Sequence, residues 1–210
     1  MKKKTIYHLI VDQSGSMGDC IDNTINGFNE QVNKIQALQR EFAEQDITIG
    51  LTVFNDRVNH LFFQYPAAIV RPLSRETYRP GGSTALYDAI GDSVRNIELI
   101  IDETKAAFDN TVVIVVLTDG YENASNNYRL HQIKEMIGRL EATEKWTFSF
   151  IGATLDAVEV AEQMSFKRQN SFAFEKKAMS REVWDKLGDS MHNYMDKKRR
   201  GDKLDNLFDK

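Results

Sequence analysis

The chain has 210 residues, of which 41% are hydrophobic and 28% are charged, values typical of one soluble globular domain. Its formal net charge of −4 gives no support for a nucleic-acid binder. The single cysteine, Cys20, excludes an intrachain disulfide and a four-cysteine zinc site.

The first third of the chain predicts a strand, a long helix and a hairpin. Thr5–Val11 is short, apolar and rich in β-branched residues, which is typical of a buried strand. Over residues 20–44 an apolar residue recurs every three or four positions, which predicts a long amphipathic helix. Ile47–Phe54 alternates like a strand, and Arg57–Phe63 follows it after an Asn-Asp turn pair, so the two predict a hairpin.

The rest of the chain predicts alternating helices and strands. Residues 64–84 hold all three prolines and two adjacent glycines, so they predict a loop. Thr111–Thr118 is a continuous apolar run, typical of a strand that is covered on both faces in a parallel sheet. The other predicted elements are helices over Ala85–Phe108, 130–140, Leu155–Met164 and Met179–Met195, and strands over Trp146–Ile151 and Ser171–Phe174.

The order of these elements predicts the fold class. Strands and helices alternate as β α β β α β α β α β α, which favours an α/β fold with a mostly parallel six-stranded sheet and helices on both faces. The hairpin adds one antiparallel edge strand. We expect a single domain over residues 1–195 and a charged, frayed tail over residues 196–210.

Three loops at the carboxyl ends of predicted strands, or beside them, carry oxygen-bearing side chains. The first holds Asp12, Ser14 and Ser16, the second holds Thr84 before a helix, and the third holds Asp119 after the most apolar strand. Ligands of open α/β sheets bind outside these strand ends. Two carboxylates and three hydroxyls, without sulfur or imidazole, suit a hard cation: Mg²⁺, or else Mn²⁺ or Ca²⁺.

The pattern Asp12-x-Ser14-x-Ser16, followed by Thr84 and Asp119, resembles the metal ion-dependent adhesion site (MIDAS) of von Willebrand factor type A (VWA) domains. The resemblance implies a doubly wound, Rossmann-like fold with strand order 3-2-1-4-5-6. It implies that the two serines and the threonine contact the metal, and that the aspartates act directly or through water. Cytoplasmic, stand-alone members of bacterial type often bind AAA+ ATPases or stress-response proteins, so we expect such a partner.

Four neighbouring side chains are candidates for contact with a partner. Gln13 lies in the first loop, Tyr87 follows the second loop, and Glu122 and Asn123 follow Asp119. A role as ordinary solvated loop residues fits Glu122 and Asn123 equally well. Asp88 is expected on the surface of the helix that follows the second loop.

Three functions are compatible with this pattern. The favoured one is a non-enzymatic, metal-dependent protein-binding module, in which the cation takes an Asp or Glu carboxylate of a partner protein. The second is a Mg²⁺-dependent hydrolase or phosphotransferase with Asp12 or Ser16 as nucleophile. The three loops provide no general base and no phosphate-binding lysine for it. The third is a structural domain that binds partners without metal.

The sequence predicts neither a signal peptide nor a membrane span. The start, Met-Lys-Lys-Lys, leads into an apolar stretch that contains His8 and lacks a small-residue cleavage site. The longest apolar run, Val112–Leu117, is far shorter than the ~20 residues of a spanning helix. We therefore expect a cytoplasmic protein whose partner is neither a membrane nor a nucleic acid.

Overall fold

A computed structural model of the chain describes residues 1–174, 181–204 and 206–208. These residues form one sheet of six strands. The strands are β1 Lys2–Asp12, β2 Gln45–Phe54, β3 Val58–Pro66, β4 Phe108–Thr118, β5 Trp146–Gly152 and β6 Ser171–Ala173. Their order is β3-β2-β1-β4-β5-β6; β3 is antiparallel to β2, and the other neighbours are parallel. This confirms the predicted mostly parallel, doubly wound sheet with its antiparallel edge strand.

Helices cover both faces of this sheet. They are α1 Ile21–Glu41, α2 Leu86–Thr104, α3 Leu130–Glu141, α4 Ala157–Gln163 and α5 Arg181–Arg200. Alternate residues of a strand point to opposite faces. Tyr7 and Leu9 of β1 therefore join a core cluster with α1 and α5, while Ile6 and Ile10 join a second cluster with α2, α3 and α4. Because both faces are buried, the central strands are mostly apolar, with a few buried polar residues such as His8 and Thr52.

Some predicted bounds differ from the observed ones. The helix predicted over residues 20–44 is α1, and a short 3-10 turn at Gly15–Cys20 precedes it. The loop predicted over residues 64–84 contains the end of β3. The first residues of the last predicted helix, 179–180, lie outside the described residues. Among the described helices, none has the length and apolar character needed to cross a membrane.

The prediction of a frayed tail from residue 196 is wrong for the described part of that segment. Helix α5 continues to Arg200. Lys198 is buried, and its Nζ donates to the Thr5 and Thr111 hydroxyls at 2.8 and 2.7 Å. Two apolar residues further along are also buried in the core, Leu207 and Phe208. The high charge of the segment predicted a solvated tail and gave no indication of these contacts. Residues 205, 209 and 210 lie outside the described part.

Candidate metal centre

The first and third loops begin side by side at the centre of the sheet. Strands β1 and β4 are parallel neighbours, with Val11 in register with Leu117. The chain leaves β1 for α1 on one face and leaves β4 for α3 on the other, so the two loops diverge at this point. Such a divergence opens a crevice at the carboxyl end of the sheet. Asp12 and Asp119 therefore start from adjacent positions beside this crevice.

Asp12 is fixed at the end of β1 by hydrogen bonds to both carboxylate oxygens. Its Oδ1 accepts from the Ser14 backbone N–H at 2.7 Å, and its Oδ2 accepts from the Thr118 hydroxyl at 2.5 Å. The side chain is fully buried. Burial raises the pKa of the Asp12 carboxyl, and the hydrogen bonds from Thr118 and Ser14 oppose that rise. These contacts orient the carboxylate.

The two serines connect the first loop to the third. The hydroxyls of Ser14 and Ser16 lie 3.1 Å apart, and the Ser16 hydroxyl donates to Asp119 Oδ1 at 2.5 Å. Ser14 is buried, whereas Ser16 is exposed. The site therefore extends from the protein interior at Ser14 to the surface at Ser16, which is exposed to solvent.

Backbone hydrogen bonds hold the second loop against the first. The Gly15 N–H donates to the Gly82 carbonyl at 3.1 Å, and the Gly81 N–H donates to the Gln13 carbonyl at 2.9 Å. Gly82 has a φ of +78°, a conformation that a glycine adopts without strain. This bend brings the second loop, with Thr84 two residues further on, against the first.

Hydroxyl and carboxylate oxygens from the first two loops converge on Gly120 of the third. A Cβ atom added at Gly120 would lie 3.3 Å from Thr84 Oγ1, 3.8 Å from Ser16 Oγ and 3.9 Å from Asp12 Oδ2. These three oxygens therefore surround one small space, which any side chain at position 120 would enter. Together with Ser14 and Asp119, the structure brings all five predicted ligands into one group.

The third loop caps the start of α2. The N-cap residue of α2, Ala85, makes no side-chain capping hydrogen bond. Instead, Asn123 Oδ1 accepts from the Thr84 N–H at 2.8 Å, and the Asn123 N–H donates back to the Thr84 carbonyl at 3.0 Å. Glu122 Oε2 accepts from the Tyr87 N–H at 2.9 Å. The bond to Tyr87 satisfies an N–H group that a helix start leaves free, and the three bonds together join the loops of Thr84 and Asp119.

Two acidic side chains brace the third loop, and sequence reasoning missed both roles. Besides the Tyr87 N–H, Glu122 accepts from the backbone N–H groups of Ala124 and Ser125 and from the Ser125 hydroxyl, at 2.7–2.9 Å. Asp88 accepts from three consecutive N–H groups, 126–128, at 2.8–2.9 Å. The expectation that Asp88 lies on the helix surface is wrong, since it is buried. Its donors lie 38–40 residues away, so no local pattern indicates them.

The four candidate partner-contact residues lie around the site in different environments. Gln13 is half-buried, and its side chain donates to the Arg79 carbonyl at 2.6 Å. Tyr87 is half-buried. Burial is the main cause that raises the pKa of its hydroxyl, and the nearby charge of Glu122 is the second. Asn123 is exposed, although its side-chain oxygen holds the second loop. The carboxylate of Glu122 is directed into its own loop, and contact of these residues with a partner stays a prediction.

The donor set fits a divalent cation. Two carboxylates and three hydroxyls are hard oxygen donors, which Mg²⁺, Mn²⁺ and Ca²⁺ prefer. Across residues 1–174, 181–204 and 206–208, no three His, Cys, Asp or Glu side chains are grouped so that they could hold a metal. That finding agrees with the composition of this site, because only two of its five donors are acidic.

The von Willebrand factor type A domain family matches this chain over residues 8–186. No curated protein matches it. A structure of proximal thread matrix protein 1 from the mussel byssus, with a zinc-occupied MIDAS motif, is 18% identical with a TM-score of 0.54. It aligns with 92% of this chain, which spans 45% of the byssus protein. The vWF domain of the type V pili tip protein Mfa5 from Porphyromonas gingivalis is 11% identical over 92% of this chain and 96% of its own, with a TM-score of 0.60. At such identities the structures share the fold.

Proposed function

We propose that this chain, which belongs to the von Willebrand factor type A domain family, is a metal-dependent protein-binding module. The residues that would hold a divalent cation are Asp12, Ser14, Ser16, Thr84 and Asp119. When bound, the cation supplies a positive centre that an Asp or Glu carboxylate of a partner protein can ligate. The observation that carries the proposal is the convergence of oxygen donors from three separate loops around Gly120.

The donors favour Mg²⁺ as the resident ion, with Mn²⁺ or Ca²⁺ as substitutes. A similar structure holds zinc in its MIDAS motif, which supports a divalent cation in a site of this kind. Zinc in proteins is bound mostly by sulfur and imidazole, whereas carboxylate and hydroxyl oxygens suit harder ions. The two carboxylates formally balance the charge of a divalent cation, and the three hydroxyls are neutral. Mg²⁺ takes six ligands, so five donors leave a position for a carboxylate oxygen of a partner.

The surface beside the site supports a protein partner. Two large apolar side chains, Tyr121 and Leu155, lie on the loops after β4 and β5 at the same edge of the sheet. They are 53% and 103% exposed. The Tyr121 hydroxyl donates to Asp156 Oδ1 at 2.7 Å. Asp156 directly follows Leu155 in the chain, so this bond ties Tyr121 to the loop that carries Leu155. Interfaces are enriched in aromatic residues such as tyrosine, and the exposed Tyr121 fits that composition.

The proposed setting is a stand-alone cytoplasmic domain of bacterial type, with an AAA+ ATPase or a stress-response protein as partner. This part of the proposal is supported by the resemblance of the site motif. No observation favours the alternative Mg²⁺-dependent hydrolase or phosphotransferase. Asp12, one of its two candidate nucleophiles, is buried with both oxygens accepting hydrogen bonds. We therefore propose a binding function and not an enzymatic one.

A pull-down from native lysate tests the proposal. The tagged protein is presented with Mg²⁺, with EDTA, and as the variants Thr84→Ala and Ser83→Ala. Ser83 is an exposed hydroxyl residue next to Thr84 and is the matched control. A partner that is retained by the wild type and Ser83→Ala in Mg²⁺, but lost in EDTA and with Thr84→Ala, supports a metal bridge. Equal retention in all four samples contradicts it.

A further inference from the structure

A groove lies beside the metal centre, at the start of α2 and α3. It has a volume of about 670 Å³ and is lined by Tyr87, Arg129, Leu130, His131, Lys134 and Gln163. Tyr87 and Leu130 are half-buried and pack against the core cluster below, so they form an apolar floor. The remaining lining residues are polar or basic.

The rim of the groove carries two cationic side chains, Arg129 and Lys134. Arg129 Nη1 donates to the Ser125 carbonyl at 2.9 Å, which holds the guanidinium in place without neutralising it. Leu130 and Lys134 are four residues apart on α3, so they share one face of the helix. The groove also lies at the N-terminal end of α3, where the helix dipole is positive. None of the six lining residues is acidic, although the whole chain has a net charge of −4.

The carboxylates of two nearby residues, Glu122 and Asp88, are hydrogen-bonded to the third loop and to the start of α2 rather than to the two rim cations. Glu122 accepts hydrogen bonds from Tyr87, Ala124 and Ser125, and Asp88 accepts from the backbone of residues 126–128. Both carboxylates are therefore directed at N–H and O–H donors of the loop. A ligand in the groove would meet an apolar floor, two cationic side chains and a helix N-terminus.

We infer that this groove binds an acidic segment of a partner protein, with one apolar side chain on the floor and carboxylates against Arg129 and Lys134. The inference rests on the proposed function, because the segment is the one that flanks the carboxylate offered to the cation. Two features place the groove next to the metal centre. Tyr87 follows Thr84 by three residues, and its N–H is bonded to Glu122 of the loop that carries Asp119. The groove and the metal centre thus share the same two loops.

The test uses peptides of known sequence. A displayed library of random peptides is selected on the wild-type protein in Mg²⁺, and the enriched peptides are synthesised and their Kd is measured by fluorescence anisotropy. The double variant Arg129→Glu with Lys134→Glu reverses the rim. The double variant Arg71→Glu with Lys105→Glu is the control, since both residues are exposed and lie outside the groove and the charge change is identical. Thermal melts establish that each variant is folded.

The expected peptides are rich in Asp and Glu with an apolar residue among them. Their Kd should rise by about tenfold or more in the rim variant, as loss of roughly 1.4 kcal/mol requires, and should stay nearly unchanged in the control. Leu130→Ser should also weaken binding, whereas Leu99→Ser on the exposed face of α2 should not. Failure to enrich acidic peptides, or equal weakening by the rim and control variants, would overturn the inference.

A Thr84→Ala arm separates this inference from the proposed function. Peptides that lose binding with Thr84→Ala but tolerate the rim reversal would support the metal bridge and refute the groove. Peptides that require the rim but tolerate Thr84→Ala would support the groove and refute the metal bridge. Peptides that require both would support the two together.

Discussion

The substitution Glu122→Gln tests how strongly this carboxylate contributes to holding the third loop on α2. In the wild type each oxygen of Glu122 accepts two hydrogen bonds: Oε1 from the N–H groups of Ala124 and Ser125, and Oε2 from the Tyr87 N–H and the Ser125 hydroxyl. Glutamine keeps one oxygen and turns an NH₂ group towards the donors of the other. The variant therefore loses one or two hydrogen bonds and removes the charge that strengthens the rest.

The expected cost follows from these bonds. A hydrogen bond to a charged group contributes about 1.5–3 kcal/mol, and the Ser125 hydroxyl can rotate to accept from the new NH₂. Because Glu122 is half-exposed, we expect a loss of roughly 2–4 kcal/mol in the free energy of unfolding, towards the lower end. Mg²⁺ affinity should fall as well, since Asn123 and Asp119 belong to the loosened loop.

Urea unfolding with and without Mg²⁺, together with titration calorimetry, measures both effects. Glu103→Gln is the control, because Glu103 is exposed near the end of α2. Its unfolding free energy should change by no more than about 0.5 kcal/mol. If Glu122→Gln is as stable as this control and binds Mg²⁺ like the wild type, the reasoning about the loop is refuted.

Three further predictions concern other positions. Gly120→Ala should leave the fold intact by circular dichroism but weaken Mg²⁺ binding in calorimetry, because its Cβ would lie 3.3 Å from Thr84 Oγ1; unchanged affinity would contradict it. Burial lowers the pKa of Lys198 to about 7, so the unfolded state binds more protons above that pH and stability should rise from pH ~7 towards ~10. Lys198→Met should remove that rise. If urea titrations show that the free energy of unfolding of this variant rises with pH as steeply as that of the wild type, the prediction is refuted. Burial lowers the pKa of His8 to about 3, so the contribution of His8 to the free energy of unfolding is complete above pH ~6.5 and is lost as the pH falls towards 3. In His8→Gln the free energy of unfolding should fall less steeply over this pH range.

The central elements of the fold were predictable because their signals are local. The apolar run at Thr111–Thr118 is the main part of β4, and the three-to-four-residue spacing after Cys20 is α1. The grouping of the five candidate ligands could also be predicted, because each of them follows or precedes a recognisable element. Parallel strands bring their carboxyl ends to one edge, so residues that lie far apart in sequence meet there.

The parts that could not be predicted depend on contacts between distant residues. Asp88 and Glu122 resemble ordinary surface acids in sequence, and their roles exist only because α2 and the third loop meet in the fold. Lys198 sits in a run of four basic residues, which indicates a solvated segment. Its burial depends on the Thr5 and Thr111 hydroxyls at the starts of β1 and β4. No pattern within any single segment contains this information.

The most direct test of the account is a calorimetric titration of the purified protein with Mg²⁺. The wild type and the control Ser83→Ala should each bind one Mg²⁺ ion, and Asp119→Ala should show no binding at the same concentrations while its thermal melt shows that it is folded. Absence of Mg²⁺ binding by the wild type, or equal binding by Asp119→Ala, would contradict the claim that these five oxygen donors form a metal centre.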